Sequence, residues 1–455
     1  MQLKHDEVGA AGVAKCVRTC LRAWLPGGAE RYASTASAQR TAWPLVAIAA
    51  LALAALATTL AVVLSVARRA LGVALGELGA AEPWHVPLAA HGWPAGYKPI
   101  RRVRYTTLEE LCGVMKSQTE VGEPLVIEGT DIVDVGRWAD LGDLTALLTN
   151  NTYNVKRSSS NRFRYYDLKL NRGKYEFNQP CEQRKENASV FVAEAARMMR
   201  RNASERMYLQ DTLSAQGSMA EEMRSWRWES FAYLSESCGM GFPNLREFFI
   251  GMQGVETPLH FDERENMFLQ VRGSKEVVLF PFVDYLRLYP FPITHPCDRQ
   301  SMVGHPVAPD LETFPRFEQA LGYYGTLAAG DLLYLPYGWW HWMRTLEHLS
   351  VSVAFWSKKR PSTMTGRGAE HGLTVLRRSV EKTIAGIYGA EKHNDTMLGL
   401  RDAIRQGRDD SESLVRIRDI LSKLKPPVPR DQQDAFLLDM VDRRFGVDWN
   451  KYVAG

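Results

Sequence analysis

At 455 residues, with 45% hydrophobic and 24% charged side chains and 12 tryptophans, the chain has ample material for a buried core, which excludes wholesale disorder. Its length suits about two or three units. The net charge of +4 is small and the Lys and Arg residues are scattered, so nothing points to a nucleic-acid groove.

Residues 1–42 read as an N-terminal tail rich in Arg and Ala. From residue 41 to residue 67 there is no charged side chain, and residues 43–67 are predicted to form one transmembrane helix, because such a length satisfies its own backbone polar groups across a bilayer. Trp43 at one edge and Arg68-Arg69 at the other suit the two interfaces. A buried alanine-rich helix and a removed signal are the alternatives. The membrane reading makes the protein single-pass. Its side and organelle stay open, because Arg22, Arg31 and Arg40 nearly balance Arg68 and Arg69. Sequons at Asn150, Asn187, Asn202 and Asn394 suit an endomembrane lumen, whereas a cytosolic face or a mitochondrial address remains compatible with the Arg-rich tail.

Residues 68–100 lack a sustained period and read as a linker to a body over residues 101–360. Pro124 to Ile127 suggests a strand, and Ala193 to Met199 and Ser218 to Trp226 look helical. Strands then dominate. Phe268 to Val271 and Lys275 to Phe280 flank Arg272-Gly273-Ser274, a hairpin connection in which glycine takes a positive φ. Leu332 to Leu335 is another strand, and Leu349 to Trp356 alternates strictly. There Leu349, Val351, Val353 and Phe355 share an apolar face, and Ser350, Ser352, Ala354 and Trp356 the opposite one. This pattern predicts a mainly β protein, a barrel or double sheet around a lined pocket. Residues 361–455 turn helical, with stripes at Leu373, Leu376, Val380, Ile384 and Ile387 and at Leu414, Ile417, Leu421 and Leu424 that pack on the barrel or on a second copy.

Six dispersed cysteines contain no Cys-x-x-Cys pair, so structural zinc is not expected, and disulfides and buried thiols remain equally open. In Thr257-Pro258-Leu259-His260-Phe261-Asp262 an extended backbone sends His260 and Asp262 to one face. His341, after a later strand and among aromatic residues, completes a two-histidine, one-carboxylate set that leaves three adjacent positions on iron(II) for an oxoacid and O₂. The His-x-Asp pair alone is weak, since ten histidines produce such pairs by chance. Lys275, opening the next hairpin arm, suits the far carboxylate of a dicarboxylic cosubstrate, although a surface lysine is the plainer alternative.

Tyr208-Leu209-Gln210, the stretch Thr257 to Asp262, Tyr289-Pro290-Phe291-Pro292, His295-Pro296-Cys297-Asp298-Arg299-Gln300-Ser301 and Gly330 to Pro336 resemble the JmjC-type 2-oxoglutarate oxygenases, within them the asparaginyl hydroxylase factor inhibiting HIF. The resemblance runs from about residue 105 to about Arg408. It implies a double-stranded β-helix, the cupin or JmjC jelly roll, with flanking helices. It further implies iron(II) on His260, Asp262 and His341, and 2-oxoglutarate held by Tyr208, Thr257 and Lys275, with Asn266 at the oxoacid end. Arg299 and Gln300, with Tyr165 and Trp356, would meet a protein or peptide substrate hydroxylated at Asn, or at Asp or His. The helices from Leu373 to Ile404 would form a homodimer. Two departures bear on substrate: Ala354 stands where the family has Asn, and Arg264 where it has Gln. A JmjC lysine demethylase and a catalytically inactive cupin-type binding module are the competing readings.

Overall fold

The computed structural model describes residue 94 and residues 96–148, 151–201, 203–213, 219–237, 239–241, 243–358, 368–425 and 427–453. The expected membrane helix over residues 43–67 and the tail before it lie outside the described residues. Among the described residues, no helix is long and apolar enough to cross a membrane. In the same set Cys112, Cys181 and Cys297 are free thiols.

In chain order the strands are β1 (Lys98–Pro99), β2 (Arg102–Arg104), β3 (Leu125–Glu128), β4 (Thr152–Ser158), β5 (Glu182–Asn187), β6 (Arg206–Thr212) and β7 (Leu245–Gly251). They continue with β8 (Glu256–Phe261), β9 (Glu265–Arg272), β10 (Lys275–Phe280), β11 (Tyr323–Leu327), β12 (Leu332–Leu335), β13 (Trp340–Thr345) and β14 (Ser350–Ser357). The helices are α1 (Leu108–Val121), α2 (Leu141–Leu147), α3 (Ala188–Arg200), α4 (Ala220–Met223) and α5 (Trp228–Ser237), followed by α6 (Gly368–Tyr388), α7 (His393–Arg405), α8 (Glu412–Lys423), α9 (Arg430–Val441) and α10 (Asn450–Val453). Local chemistry sets their ends. In α1, the Thr107 hydroxyl accepts from the Glu110 N–H, and Gly122 at φ 76° closes the helix.

The strands build a five-stranded sheet, β1-β11-β10-β13-β8, and a nine-stranded sheet, β2-β3-β12-β9-β14-β7-β6-β4-β5. Through β7, β8, β9 and β10, and again through β11 to β14, the chain passes back and forth between the two sheets, with antiparallel pairing throughout this central portion. That is a double-sheet jelly roll, mainly β as expected, with helices added outside.

Alternation assigns each face. On the smaller sheet Val277, Leu279 and Met343 join the core between the sheets, while Leu259, Phe261, Val278, Phe280, Trp340 and Trp342 face outward into a second core. That second core is covered by Phe282, Tyr285, Tyr289, Phe291, Phe314 and Phe317 from the long β10–β11 connection. On β14 the apolar face points out to helix α5, where Phe231 meets Phe355 with ring centres 4.4 Å apart. Its small-residue face points in. The C-terminal stripes pack chiefly on one another: Val380, Ile384, Met397, Leu400, Leu414, Ile417, Leu421, Leu437 and Met440 form a third core, while Leu373 stays 36% exposed.

Candidate metal centre

His260 on β8 and His341 on β13 are direct cross-strand partners, which brings their ring centres to 4.0 Å. Asp262 follows the end of β8, where the Gly338 N–H donates to its backbone oxygen at 2.9 Å. The ligand atoms of the three residues lie within 4.8 Å of one another. Two separate hydrogen bonds orient the imidazoles: His260 Nδ1 meets the Pro258 oxygen at 2.9 Å and His341 Nδ1 meets the Trp339 oxygen at 3.1 Å. A carbonyl only accepts, so both Nδ1 atoms carry a proton, which leaves Nε2 as the atom of each ring to face a metal. Burial, reinforced by His341, lowers His260 to about 3, so it stays neutral near neutral pH.

Burial pushes the Asp262 carboxyl upward, but the imidazoles of His341 and His260 and a hydrogen bond from Trp356 hold it below its ordinary range. The Trp356 Nε1–H donates to Asp262 Oδ2 at 2.7 Å, and Oδ2 lies 3.8 Å from His341 Nε2. Two imidazoles and one oriented carboxylate, their ligand atoms within 4.8 Å of one another, are the donor set that suits non-haem iron(II).

The inward face of the same sheet also carries a buried cation. Lys275 begins β10 on the same inward face as Val277 and Leu279, and is 2% exposed. Among the described residues it has no ion-pair or hydrogen-bond partner; its Nζ sits 5.8 Å from the Tyr208 ring centre and 5.5 Å from that of Phe268. Burial alone lowers it to about 7. An unpaired buried ammonium is costly, and a carboxylate brought by a ligand offsets that cost. Beside it the hydroxyls of Tyr208 and Thr257 share a hydrogen bond.

Thr257 would face outward if β8 alternated regularly. It does not: His260 pairs with His341 and Thr257 with Met343, so Pro258 and Leu259 together oppose Trp342. This β-bulge turns Thr257 inward with His260, and Pro258 lacks the N–H that a regular ladder needs there. On the larger sheet Asn266 Oδ1, Gln270 Oε1 and Ser352 Oγ are buried with no hydrogen-bond partner among the described residues, polar atoms left for a ligand or water. Phe249 packs against both Phe268 and Trp356, so the three rings form one aromatic group.

The residues expected at the substrate mouth divide into two kinds. Tyr165 is 46% exposed. Among the described residues the Arg299 side chain has no hydrogen-bond or ion-pair partner. Gln300, by contrast, is 3% exposed; its amide donates to the Tyr165 backbone oxygen and accepts from Arg164 Nη1 at 3.4 Å. It fastens the strand of backbone bearing Tyr165. Ala354, 1% exposed, pairs with Glu247 and Phe268, and Arg264 donates to Asn244 at 2.7 Å. The Trp356–Asp262 bond was beyond sequence reasoning, because it joins positions 94 residues apart.

Residues 113–363 match the family described as cupin-like domain. Over 123 residues the chain is 38% identical to HSPB1-associated protein 1 of Rattus norvegicus, covering 26% of this chain and 25% of that one. It is 36% identical over 110 residues to lysine-specific demethylase 8 of Xenopus tropicalis, 24% of each chain. Lysine-specific demethylase JMJ30 of Arabidopsis thaliana shares 30% over 181 residues, 39% of this chain and 40% of that one. The matched segment thus spans about a quarter of the length of the first two relatives.

Proposed function

Since the chain belongs to the cupin-like domain family, we propose that it is an iron(II)- and 2-oxoglutarate-dependent oxygenase that hydroxylates a protein side chain, Asn foremost, then Asp or His. The observation that carries this reading is the convergence of His260, Asp262 and His341 on a sheet whose next strand carries the buried Lys275, unpaired among the described residues. His260, Asp262 and His341 would hold the metal; Lys275, Tyr208 and Thr257 would take the distal carboxylate, and Asn266 would face the oxoacid end. Iron(II), with 2-oxoglutarate and O₂, supplies the oxidising chemistry when bound. The protein supplies placement. Trp356 holds the Asp262 carboxylate, the Pro258 and Trp339 carbonyls fix the imidazole tautomers, and Phe249, Phe268 and Trp356 keep water from the reacting bond.

Lysine demethylation is the second reading, favoured by the names of two relatives. The charges at the mouth oppose it: Arg299 has no carboxylate partner among the described residues, and Arg264 meets only the neutral Asn244. The Arg299 guanidinium repels a methylated ammonium and tolerates an amide or a carboxylate, although Asp167 and Glu247 also act on Tyr165 and offset part of that charge. The test is peptide mass spectrometry with the purified full chain, iron(II) and 2-oxoglutarate. A gained oxygen with coupled succinate supports hydroxylation; a lost methyl group supports the second reading. Absence of succinate under all conditions leaves a binding module and rejects both.

A further inference from the structure

Arg378 of α6 joins two pieces of the site. Its side chain is 5% exposed. Nη1 and Nη2 donate to Asp298 Oδ1 and Oδ2 at 3.0 and 3.1 Å, a bidentate pair, and Nη2 also donates to Glu263 Oε1 at 3.1 Å. The guanidinium lies 5.1 Å from the ring centre of Phe261 and 5.9 Å from that of Tyr285.

Both carboxylates border functional residues. Glu263 follows Asp262, and Asp298 precedes Arg299. Asp298 Oδ1 also accepts from the Arg299 N–H at 2.8 Å, and Arg299 adopts φ 68°, a left-handed conformation that a residue with a side chain keeps only when its surroundings impose it. Backbone bonds complete the seam: the Phe261 N–H donates to the Arg299 oxygen at 3.0 Å and the Ser301 N–H to the Leu259 oxygen at 2.9 Å. Two carboxylates drawn to one point repel each other, and the shared guanidinium removes that repulsion.

We propose that Arg378 is a positioning residue: it fastens the Asp298–Arg299–Gln300 turn to the strand end that carries Asp262, so that a C-terminal helix sets where the substrate-side cation stands relative to the metal. The proposal rests on the reading of His260, Asp262 and His341 as a metal centre. Lysine cannot reproduce the grip, because an ammonium has no planar fork to match a carboxylate.

The test compares the full chain with its Arg378→Met, Arg378→Lys and Asp298→Asn variants by cobalt(II) titration and by hydrogen exchange of peptides covering residues 257–262 and 297–302. Ile384→Ala, a hole in the third core away from this seam, serves as the comparison for plain destabilisation. For Arg378→Met the expected result is exchange faster by about tenfold or more in both peptides and cobalt(II) binding weakened several-fold, with Arg378→Lys intermediate. Ile384→Ala is expected to lower the melting temperature and leave both readings unchanged. Wild-type exchange and affinity in Arg378→Met overturn the proposal, as does an Ile384→Ala variant that reproduces both changes. If Arg378→Met does not fold, the near-isosteric Asp298→Asn decides by the same two readings. A wild-type chain that takes up no cobalt(II) refutes the metal centre, and the exchange comparison then judges the seam by itself.

Discussion

The Asp262 carboxylate is held beside His341 because the Trp356 indole donates to its Oδ2 at 2.7 Å. Trp356→Phe keeps the ring and removes the donor; metal affinity is expected to fall about 10- to 100-fold, read by cobalt(II) titration, with little loss of stability. Lys275 gives a second outcome at this scale. Burial lowers its pKa to about 7, whereas a bound carboxylate requires the ammonium. Below that pH the charge is already present; above it, binding must take up a proton. Affinity for 2-oxoglutarate is therefore expected to decline with rising pH above about 7, by up to about tenfold per unit, measured calorimetrically. Lys275→Met is expected to bind weakly at every pH, with no slope. The clustering of His260, Asp262 and His341 was legible in the sequence because His260 and Asp262 are spaced by two at the end of an extended segment and His341 follows a strand signal. Arg378 was not, since its acids lie 80 and 115 residues away and neither local spacing nor periodicity encodes such a contact.

Among the elements, strict alternation in β14 announced a half-apolar strand, and the structure places that apolar face against helix α5. The hairpin expected at Gly273 does not form: the glycine takes φ 66°, but β9 pairs with β12 and β14 and β10 with β11 and β13, so Arg272-Gly273-Ser274 carries the chain from one sheet to the other. The bulge in β8 left no such signal. Pro258 is its only local hint, and the inward turn of Thr257 emerges only from the pairing with β13. The helical stripes after residue 361 were readable as periodicity, but not the surface they meet, because an apolar face does not name its partner. They meet each other, so this bundle has a core of its own. Leu400→Ala, at a fully buried position in that core, is expected to cost about 2–5 kcal/mol in chemical denaturation while leaving metal affinity intact.

At the scale of the molecule, the segment beyond Arg408, where the sequence resemblance ends, is not an appendage. Arg444, 1% exposed, pairs with the fully buried Glu381 of α6 at 3.0 Å and donates to the Pro290 oxygen at 2.9 Å. Trp449 lies against Tyr175 and His295, and Val453 enters the outer core of the smaller sheet. Arg444→Met strands the Glu381 carboxylate and is expected to cost about 3–5 kcal/mol, largely recovered by adding Glu381→Gln. Nothing local in the sequence announced these links, since they close only after barrel and bundle have formed. On the proposed function, two imidazoles and one carboxylate hold iron(II) with room for an oxoacid. Anaerobic addition of iron(II) and 2-oxoglutarate to the purified chain tests it through the visible charge-transfer band of the chelate. The band is expected in the wild type and absent in His260→Ala and His341→Ala; its absence from the wild type, or its persistence unchanged in both variants, would contradict the account.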